Sequence, residues 1–441
     1  MESILLAQKE IEVASQVYGT PLYLYNLNKI TYQFANLLEH LPSNFIVHYA
    51  LKANSSLAIC SKLAQLGASV DVSSLGELHT ALKVGFLPEN IVFTGPGKTK
   101  QELSVALNAK CGLVALESFN QAQILDDLAF QAGIKQDVII RINPIYRTTQ
   151  SCESLQQCSI GSDKAISSDT AIQIITQSAS KFGVDEEVAA ETIDKINNLK
   201  HLTLKGIHIY TESNVLAYQD LLQSWKNTVS IADRLRDQGY PISLIDFGGG
   251  IGIPYSSTKS SFDIVRFGQE IQKLLETSRY KYRCLVEIGR YLVGEAGCYI
   301  TEIIDIKQSR GQLFLILDGG INHLLRPSSS MKEATKYLEV LSKKSDKTKP
   351  ATLVGKLMTS LDVLVENVQV PENIEIGDRI VIYNCGAYGF NHSLTNFLLH
   401  NYPAEAAYQD DQLCLIRERG KVEDFFVNQK LPFNKALEPI K

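Results

Sequence analysis

Residues 45–94 read FIVHYALKANSSLAICSKLAQLGASVDVSSLGELHTALKVGFLPENIVFT, and this stretch decides the fold. It alternates three short apolar runs, Phe45–Leu51, Ser69–Ser73 and Ile91–Thr94, with two segments of helical pattern, Ser55–Leu66 and Gly76–Val84. The runs contain Val and Ile and are bounded by Ser, Asn or Gly, as buried strands are. The alternation therefore predicts a strand–helix repeat whose strands lie parallel in one sheet.

The same alternation continues through the first two thirds of the chain. Five more apolar runs follow, and they are Gly112–Leu116, Val138–Ile142, Leu204–Tyr210, Leu244–Phe247 and Arg283–Glu287. Eight strand–helix repeats are typical of a TIM-type (β/α)8 barrel, an α/β fold. The alternative is an open doubly wound sheet, since periodicity alone does not separate the two. The polar stretch Tyr146–Asp169 is expected to form a loop over one end of the barrel.

The pattern changes after Gly294, where strand-like segments follow one another without a long helical pattern. They are Cys298–Lys307, Gln312–Leu317, Leu353–Leu357, Val363–Val370, Arg379–Tyr383 and Gln412–Arg417. This predicts a C-terminal antiparallel β domain, into which Leu22–Tyr25 can also pair. We therefore expect a barrel domain of residues 28–293 and a β-sandwich or barrel-like domain of residues 1–27 and 294–441. The lysine-rich segment Lys332–Lys349 is expected to form a solvent-exposed helix and loop.

The composition excludes several functional classes. The 441 residues are 45% hydrophobic and 21% charged, as is usual for a globular protein of two or three domains. A net charge of −5 gives no basic surface for nucleic acid or an anionic membrane. No apolar run has the length of a membrane span, and the first residues lack the apolar region of a signal peptide. The eight cysteines form no CxxC pair, which predicts reduced thiols in a cytoplasmic protein without a metal site.

Polar residues follow several of the predicted barrel strands, at the end of the barrel where active sites lie. Lys52 is placed to form a Schiff base, because desolvation at a barrel mouth lowers the pKa of an amine. Gly248–Gly250 let backbone N–H groups approach a phosphate, and Arg290 can pair with it. Glu287 can hold a protonated pyridine nitrogen, and Tyr210 offers a flat face to a ring. Together these groups describe a site for pyridoxal 5'-phosphate.

Each of these signals has an ordinary structural explanation when it is taken alone. A lysine at a strand end often only extends its ammonium to solvent, and a run of glycines is often a flexible turn. Glu287 and Arg290 can form a simple salt bridge, and Tyr210 can belong to the core. The prediction depends on the order of these residues and on their meeting at one end of the barrel.

Five motifs, in this order, resemble the diaminopimelate/ornithine decarboxylase family. They are TPLY at residues 20–23, HYALKAN at 48–54, IDFGGGIG at 245–252, EIGRYLVG at 287–294 and CGAYGF at 385–390. That family is the fold-type III group of pyridoxal phosphate enzymes, with an alanine-racemase-like barrel and a C-terminal β domain. The resemblance implies decarboxylation of an amino acid by a homodimer with shared active sites.

The resemblance also implies a role for each matching residue around the cofactor ring. Lys52 looks like the lysine that carries pyridoxal phosphate, and Glu287 resembles the partner of the pyridine nitrogen. Tyr210 occupies the position of the family's ring-stacking histidine.

A second group of residues resembles the family's phosphate site. Gly248, Gly249, Gly250 and Arg290 look like the cradle itself, to which Ser213 adds a hydrogen bond. Tyr388 resembles the tyrosine that reaches the cofactor phosphate across the dimer interface.

The sequence departs from the family where the catalytic acid belongs. In the family's CES-type motif a cysteine protonates the carbanion, whereas here Met358 and Thr359 replace the cysteine and the glutamate. A thioether cannot donate a proton. Cys385 is the candidate for a displaced catalytic acid, and a buried thiol is the alternative. Asp362 matches the family's aspartate.

The substrate side departs from the family as well. The RPxLY stretch of diaminopimelate decarboxylases reads RPSSS from Arg326, so the arginine is kept and the tyrosine is lost. Arg326, Asp362 and Met358 are the predicted substrate-binding residues. Glu212 replaces a glycine beside the phosphate site, which adds negative charge there unless its side chain points away.

Three further stretches look closest to a divergent branch of the family. They are FTGPGKTKQEL at residues 93–103, TSLD at residues 359–362 and GAYGFNHSLTNFLLHNYPAE at residues 386–405. That branch includes decarboxylases associated with exosortase systems and the butirosin-pathway enzyme that acts on carrier-protein-linked glutamate. It implies a modified amino acid, or one linked to an acyl-carrier protein, as the substrate. Diaminopimelate, lysine or ornithine decarboxylation, racemisation, and a catalytically impaired regulatory paralogue are the alternatives.

Overall fold

The computed structural model describes residues 6, 8–145, 179–255, 260–325, 337–341 and 345–431. The chain divides into two compact units. The first comprises Asn26–Ala296 together with Gly386–Tyr388, and the second comprises Leu6–Tyr25, Gly297–Cys385 and the residues from Gly389 onward. Gly386–Tyr388, from the CGAYGF motif, belongs with the first unit, which is not expected from the sequence. The predicted loop Tyr146–Asp169 lies outside the described residues.

The strands and helices of the described residues are numbered in chain order. The strands are β1 Leu22–Asn26, β2 Phe45–Ala50, β3 Ser69–Val72, β4 Ile91–Phe93, β5 Leu113–Leu116, β6 Gln136–Asn143, β7 Val184–Asp185, β8 Leu202–His208, β9 Leu244–Asp246, β10 Arg283–Ile288, β11 Gly297–Ser309, β12 Gln312–Leu317, β13 Leu338–Val340, β14 Thr348–Val354, β15 Val363–Pro371, β16 Arg379–Ile382, β17 Ala404–Gln409 and β18 Gln412–Arg417. The α-helices are α1 Gln8–Tyr18, α2 Leu27–His40, α3 Leu57–Gln65, α4 Leu75–Val84, α5 Lys100–Asn108, α6 Phe119–Ala132, α7 Ala189–Asn197, α8 Tyr218–Asp237, α9 Ile264–Thr277 and α10 Arg290–Val293.

The first unit is built on a closed parallel barrel. Its strands follow the order β5, β4, β3, β2, β10, β9, β8, β6, and β6 pairs with β5 to close the ring. The closing pair runs parallel, with Val114 opposite Val138. All eight predicted barrel strands are confirmed, and the open doubly wound sheet is excluded by this closing pair.

The barrel interior has an apolar layer and, nearer the carboxyl ends of the strands, a polar layer. Leu244, Leu285 and Ile139 belong to one buried cluster. Each of them precedes a polar residue by two positions, so that Leu285 precedes Glu287 and Leu244 precedes Asp246. Because successive side chains of a strand alternate between its faces, each such pair shares the inner face. The apolar layer therefore supports a polar layer at the carboxyl ends of the strands.

Helix α8 shows how the outer layer covers the barrel. Its apolar stripe, predicted from the sequence, buries Trp225 with only 1% exposure. The indole stacks on Phe247 with a ring-centroid distance of 4.5 Å and on Phe45 with 5.6 Å. These rings lie at the outer faces of β2 and of the segment after β9, so α8 is fixed over the strands that position the site.

The second unit is a mixed sheet. Its strands follow the order β15, β14, β12, β11, β1, β17, β18, and β16 pairs with both β11 and β13. The pair β1–β11 is antiparallel, as Leu22–Tyr25 was expected to allow. The pair β12–β14 runs parallel, so the predicted antiparallel character does not extend to it. A parallel pair requires a long connection, and 30 residues separate the end of β12 from the start of β14 in the sequence.

Two predictions for the second unit need correction. The strand expected at Leu353–Leu357 is β14 and spans Thr348–Val354. Within the segment Lys332–Lys349, where an exposed helix and loop were expected, Leu338–Val340 is a strand that pairs with β16. This short strand contains the apolar residues Leu338 and Val340. The lysine content of the surrounding sequence does not indicate that it pairs with β16. Among the described residues, no helix combines the length and apolar character needed to cross a membrane.

Candidate active site

A polar cavity lies at the carboxyl ends of the barrel strands. It is lined by Ala50, Lys52, Tyr210, Ser213, Asn214, Gly249, Gly250, Ile251, Glu287, Ile288, Gly289, Arg290 and Tyr388. Nearly every residue that the sequence assigns to the cofactor lines this one cavity, and Gly248 directly precedes two of them. All of these residues belong to the first unit.

Lys52 lies in a single 3-10 turn, Leu51–Ala53, that begins directly after β2. Its Nζ is 3.1 Å from Oδ2 of Asp71 and 4.0 Å from Oε2 of Glu287. Burial lowers the pKa of Lys52, but the two carboxylates outweigh it and raise this pKa above its usual value. The predicted lowering of the Lys52 pKa is therefore wrong, since Asp71 stabilises the ammonium group.

Asp71 is a site residue that the sequence analysis missed. It lies in β3 with 1% exposure, and its Oδ1 accepts a 2.6 Å hydrogen bond from the hydroxyl of Thr94. Ser73 Oγ lies 3.0 Å from the same hydroxyl. A carboxylate in the middle of the apolar run SVDV was the available signal, because a buried acid needs partners.

Glu287 is the penultimate residue of β10 and lies in a buried group that also contains His208 of β8 and Asp246 of β9. Its Oε1 lies 3.6 Å from Nε2 of His208. Burial, followed by the charges of Asp71 and Asp246, raises the pKa of Glu287 well above its usual value. His208 and Asp246 were not predicted as site residues, although each is a polar residue within an apolar run.

The loop Gly248–Gly250 is packed too closely for side chains. A Cβ on Gly248 would lie 2.8 Å from Cβ of Tyr210, and one on Gly249 would lie 2.4 Å from the carbonyl oxygen of Glu287. Gly248 and Gly250 also have φ values of +61° and +119°, which L-residues rarely adopt. The main chain itself therefore forms the cavity surface here, as a phosphate cradle requires.

Arg290 begins α10 and is 7% exposed. Its guanidinium donates a 2.6 Å hydrogen bond to the hydroxyl of Tyr255 and lies 4.8 Å from the ring centroid of Tyr388. The backbone N–H of Tyr388 donates to the carbonyl of Ala53 at 2.8 Å. Tyr388 therefore reaches the site from its own chain, and not across an interface as the resemblance implied. Tyr255 was missed, since it belongs to none of the quoted motifs.

The arrangement fits pyridoxal phosphate at both ends of the cavity. Lys52 offers the amine, and buried Glu287, whose Oε2 lies 4.0 Å from that amine, offers a carboxyl group for a ring nitrogen. The glycine loop and Arg290 offer a surface without side chains and a buried cation for a phosphate.

The comparison with known proteins agrees with this geometry. Residues 27–294 match the sequence model of the family described as pyridoxal-dependent decarboxylase, pyridoxal binding domain. The chain belongs to this family. The pyridoxal-dependent decarboxylases use pyridoxal phosphate to decarboxylate amino acids, so the cofactor, the reaction class and the fold-type III barrel expected from the sequence are confirmed.

Individual relatives in the pyridoxal-dependent decarboxylase family match almost the whole length of the chain. The chain is 30% identical over 435 residues to the L-glutamyl-[BtrI acyl-carrier protein] decarboxylase of Niallia circulans, covering 96% of this chain and 97% of the relative. It is 30% identical over 417 residues to the diaminopimelate decarboxylase of Aquifex aeolicus, covering 95% and 93%. The crystal structure of the Helicobacter pylori diaminopimelate decarboxylase complexed with L-lysine is similar, with a TM-score of 0.82, 30% identity, and coverage of 94% and 98%.

For this pyridoxal-dependent decarboxylase, the structure argues against Cys385 as the catalytic acid. Its thiol is 1% exposed and donates to the carbonyl of Ile382 at 3.2 Å. Burial raises the pKa of this thiol well above its usual value. Cys385 does not line the cavity described above, and its geometry is that of a structural thiol.

The three predicted substrate-binding residues of the decarboxylase differ in where the structure places them. Both carboxylate oxygens of Asp362 accept backbone N–H groups at 2.8 Å, from Ile321 and from Leu357. Asp362 is 3% exposed and holds two loops together, so its carboxylate is not accessible to a substrate and this assignment is corrected. Met358, one residue after Leu357, is 90% exposed. Arg326 lies outside the described residues and stays a prediction.

Proposed function

We propose that this pyridoxal phosphate-dependent amino-acid decarboxylase acts on an amino acid whose far end is modified or linked to an acyl-carrier protein. The observation that carries this proposal is the full-length similarity to a relative named for a carrier-protein-linked glutamyl substrate. The lost tyrosine of the RPxLY stretch supports it, because the family uses that stretch to meet a free distal carboxylate.

Pyridoxal phosphate, when bound, supplies a ring that takes up the electron pair released as the α-carboxylate leaves as CO2. The residues of this chain divide the remaining work. Lys52 holds the cofactor through its amine, and Glu287 holds a proton at the ring nitrogen. The glycine loop, Ser213, Arg290 and Tyr388 hold the phosphate. Tyr210 lies beside the glycine loop, where its flat face orients the ring.

We also propose that the enzyme is a homodimer with shared active sites. The second unit exposes large apolar side chains on two loops, and they are Met358, Leu361, Leu394, Phe397, Leu398 and Leu399. Leu398 and Leu399 moreover have φ values of +59° and +53°, which are unusual for leucine. Exposed apolar side chains on loops held in a strained conformation are typical of an interface.

The cytoplasm is the compartment that we propose for the enzyme. Six cysteines lie in the described part of the chain, all of them as free thiols and five of them buried. Free thiols are typical of a reducing compartment.

The substrate proposal is tested by measuring CO2 release from a panel of amino acids. The panel contains a glutamyl thioester of phosphopantetheine, free L-glutamate, meso-diaminopimelate, L-lysine and L-ornithine. We expect the thioester to have the highest kcat/KM, at least tenfold above any free amino acid. A higher kcat/KM for diaminopimelate or lysine would overturn the proposal in favour of the ordinary family reaction.

Two controls separate the alternatives. Lys52→Ala should lose both the visible cofactor band and CO2 release. Lys205→Ala removes a lysine that pairs with Asp137 at 3.3 Å outside the cavity, and it should keep both signals. Exchange of the α-hydrogen without CO2 release would indicate a racemase. A cofactor band without any turnover would indicate a regulatory paralogue.

A further inference from the structure

Three polar side chains meet in the barrel behind the cavity, and their contacts are incomplete. One ring nitrogen of His208, one carboxylate oxygen of Asp246 and one of Glu287 all lie within 4.8 Å of one another. They are 1%, 0% and 6% exposed, on three consecutive strands of the barrel. Both ring nitrogens of His208, Oδ2 of Asp246 and Oε1 of Glu287 have no hydrogen-bond partner.

The second oxygen of Asp246 has a different task. Oδ1 accepts the backbone N–H of Gly248 at 2.9 Å, the first residue of the glycine loop. Asp246 therefore connects the carboxyl group of Glu287 at one end of the site to the phosphate cradle at the other. The sequence analysis gave it no role.

Charged groups from other strands also face this cluster. They are Lys52 after β2, Asp71 in β3, Lys98 after β4 and Arg141 in β6. Glu77 in α4 and Glu117 after β5 lie one step further out, since they act on Lys52 and on Lys98. Lys52 pairs with Asp71, and Arg141 pairs with Glu117 at 3.1 Å. Burial, followed by the charges of Arg141, Lys52 and Lys98, lowers the pKa of His208 well below its usual value. The imidazole is therefore neutral, and the two carboxyl groups are left to divide the negative charge.

Two neighbouring carboxyl groups in a buried site cannot both ionise without a large energetic cost, so they hold a proton between them. Burial raises the pKa of Asp246 to about 7. A divalent metal ion could use the same three ligands, but the ammonium of Lys52 lies 4.0 Å from Oε2 of Glu287 and opposes a second cation there.

We infer that Asp246 and Glu287 share a single proton and that neutral His208 supports the Oε1 side of Glu287. Asp246 and His208 are therefore positioning residues for Glu287, whose carboxyl group meets the cofactor. When a protonated ring nitrogen faces Glu287, the shared proton resides on Oδ2 of Asp246 and Glu287 is a carboxylate. No proton enters or leaves the cluster in this change. The inference rests on the proposed function only for the role of Glu287 toward the cofactor.

The shared proton is tested on the cofactor-free protein, through the pH dependence of its unfolding midpoint between pH 4 and 8.5. A carboxyl group whose folded pKa is raised contributes stability below its unfolded pKa of about 4, and this stability is lost as the pH rises toward 7. Asp246→Asn keeps an oxygen for the Gly248 N–H but cannot titrate. We expect it to remove at least half of the wild-type loss of stability over this range.

A double variant gives the decisive comparison. If one proton is shared, Glu287→Gln flattens the pH dependence as much as Asp246→Asn does, and the double variant flattens it no further. Additive flattening would show two independently protonated carboxyl groups and would overturn the inference. An unchanged pH dependence in either single variant would overturn it as well.

The role of His208 has its own test in the same assay. The polar ring edge of His208 lies 3.6 Å from Oε1 of Glu287 and favours its carboxylate form, so His208→Leu should move the midpoint of the stability loss upward by about one pH unit. His208→Gln keeps a side-chain donor and should restore at least half of that shift. His323→Asn is the matched control, since His323 is a buried neutral histidine of the second unit. Equal shifts in the Leu variant and in this control would mean that His208 only fills space.

One further measurement separates this inference from the proposed function. In the cofactor-loaded protein, the visible band of Asp246→Asn should change with pH at a midpoint at least one unit from that of the wild type. If the wild-type protein forms no such band, the cofactor assignment fails while the stability data still decide the shared proton. If the band forms and its midpoint is the same in both proteins, Asp246 does not act on the cofactor's partner and the inference fails.

Discussion

At the scale of single residues, Asp71 sets the charge state of Lys52. Its Oδ2 lies 3.1 Å from the lysine Nζ, while Glu287 is 4.0 Å away. The carboxylate keeps the amine protonated, and a protonated amine cannot attack an aldehyde. Asp71 therefore holds the lysine in position but slows its reaction with a cofactor arriving from solution.

Asp71→Asn should accordingly lower the pKa of Lys52 and increase the rate at which the cofactor-free protein takes up pyridoxal phosphate. We expect a severalfold increase at pH 7.5, measured by stopped-flow absorption. Asp137→Asn, which removes an aspartate outside the cavity, should leave this rate unchanged. A slower uptake in Asp71→Asn would show that orientation by Asp71 matters more than charge.

The glycine loop supports a second prediction at this scale. A Cβ on Gly249 would lie 2.4 Å from a backbone oxygen, whereas one on Gly97 would meet nothing within 4 Å. Gly249→Ala should weaken pyridoxal phosphate binding at least tenfold, because the loop must move to accept the methyl group. The Gly97→Ala variant should bind pyridoxal phosphate with the affinity of the wild type. Equilibrium titration of the visible band measures both, and equal affinities would contradict a close-packed cradle.

The sequence could reveal most of the site at this scale, but not all of it. Lys52, Glu287 and Arg290 lie at or just after the ends of strand runs and were found by that rule. Asp71 and Asp246 lie inside apolar runs, where a polar residue is easily taken for an interruption. Only the closed barrel shows that these side chains point inward and meet.

At the scale of elements, strand β14 shows why the second unit was harder to predict. It contains Pro350, and a proline argues against a central strand. In the structure β12 pairs only with Thr352–Val354, so Pro350 lies beyond the part of β14 that needs hydrogen bonds on both sides. The barrel strands contain no such exception, which explains why all eight were predicted.

Helix α8 provides a prediction about stability. Trp225 is almost fully buried between the helix and the barrel, with the rings of Phe45, Phe247 and Phe267 against it. Trp225→Ala should lower the free energy of unfolding by about 3–5 kcal/mol, since it removes a large buried side chain and leaves a cavity. Val265→Ala on α9 removes a 43% exposed side chain and should change it by no more than about 0.5 kcal/mol. Denaturant titration followed by circular dichroism measures both.

At the scale of the whole molecule, the exposed apolar loops of the second unit predict an association. Leu361 is 76% exposed beside the loop of Asp362. Leu361→Asp should convert the dimer to a monomer in light scattering and reduce activity at least tenfold, since the proposed sites are shared. Val427→Asp changes a 74% exposed side chain outside these two loops and should leave the mass unchanged. A wild-type monomer with full activity would contradict the shared site.

The return of Gly386–Tyr388 to the barrel unit has a consequence for synthesis. The last other residue of that unit is Ala296, about 90 residues earlier in the chain. At the usual rate of translation, this interval corresponds to an order of ten seconds. During that time the ribosome-bound barrel has its lysine, glycine loop and arginine, but not the tyrosine that stacks on the arginine. The nascent enzyme therefore passes through a stage in which its barrel can fold while its cofactor site is still incomplete.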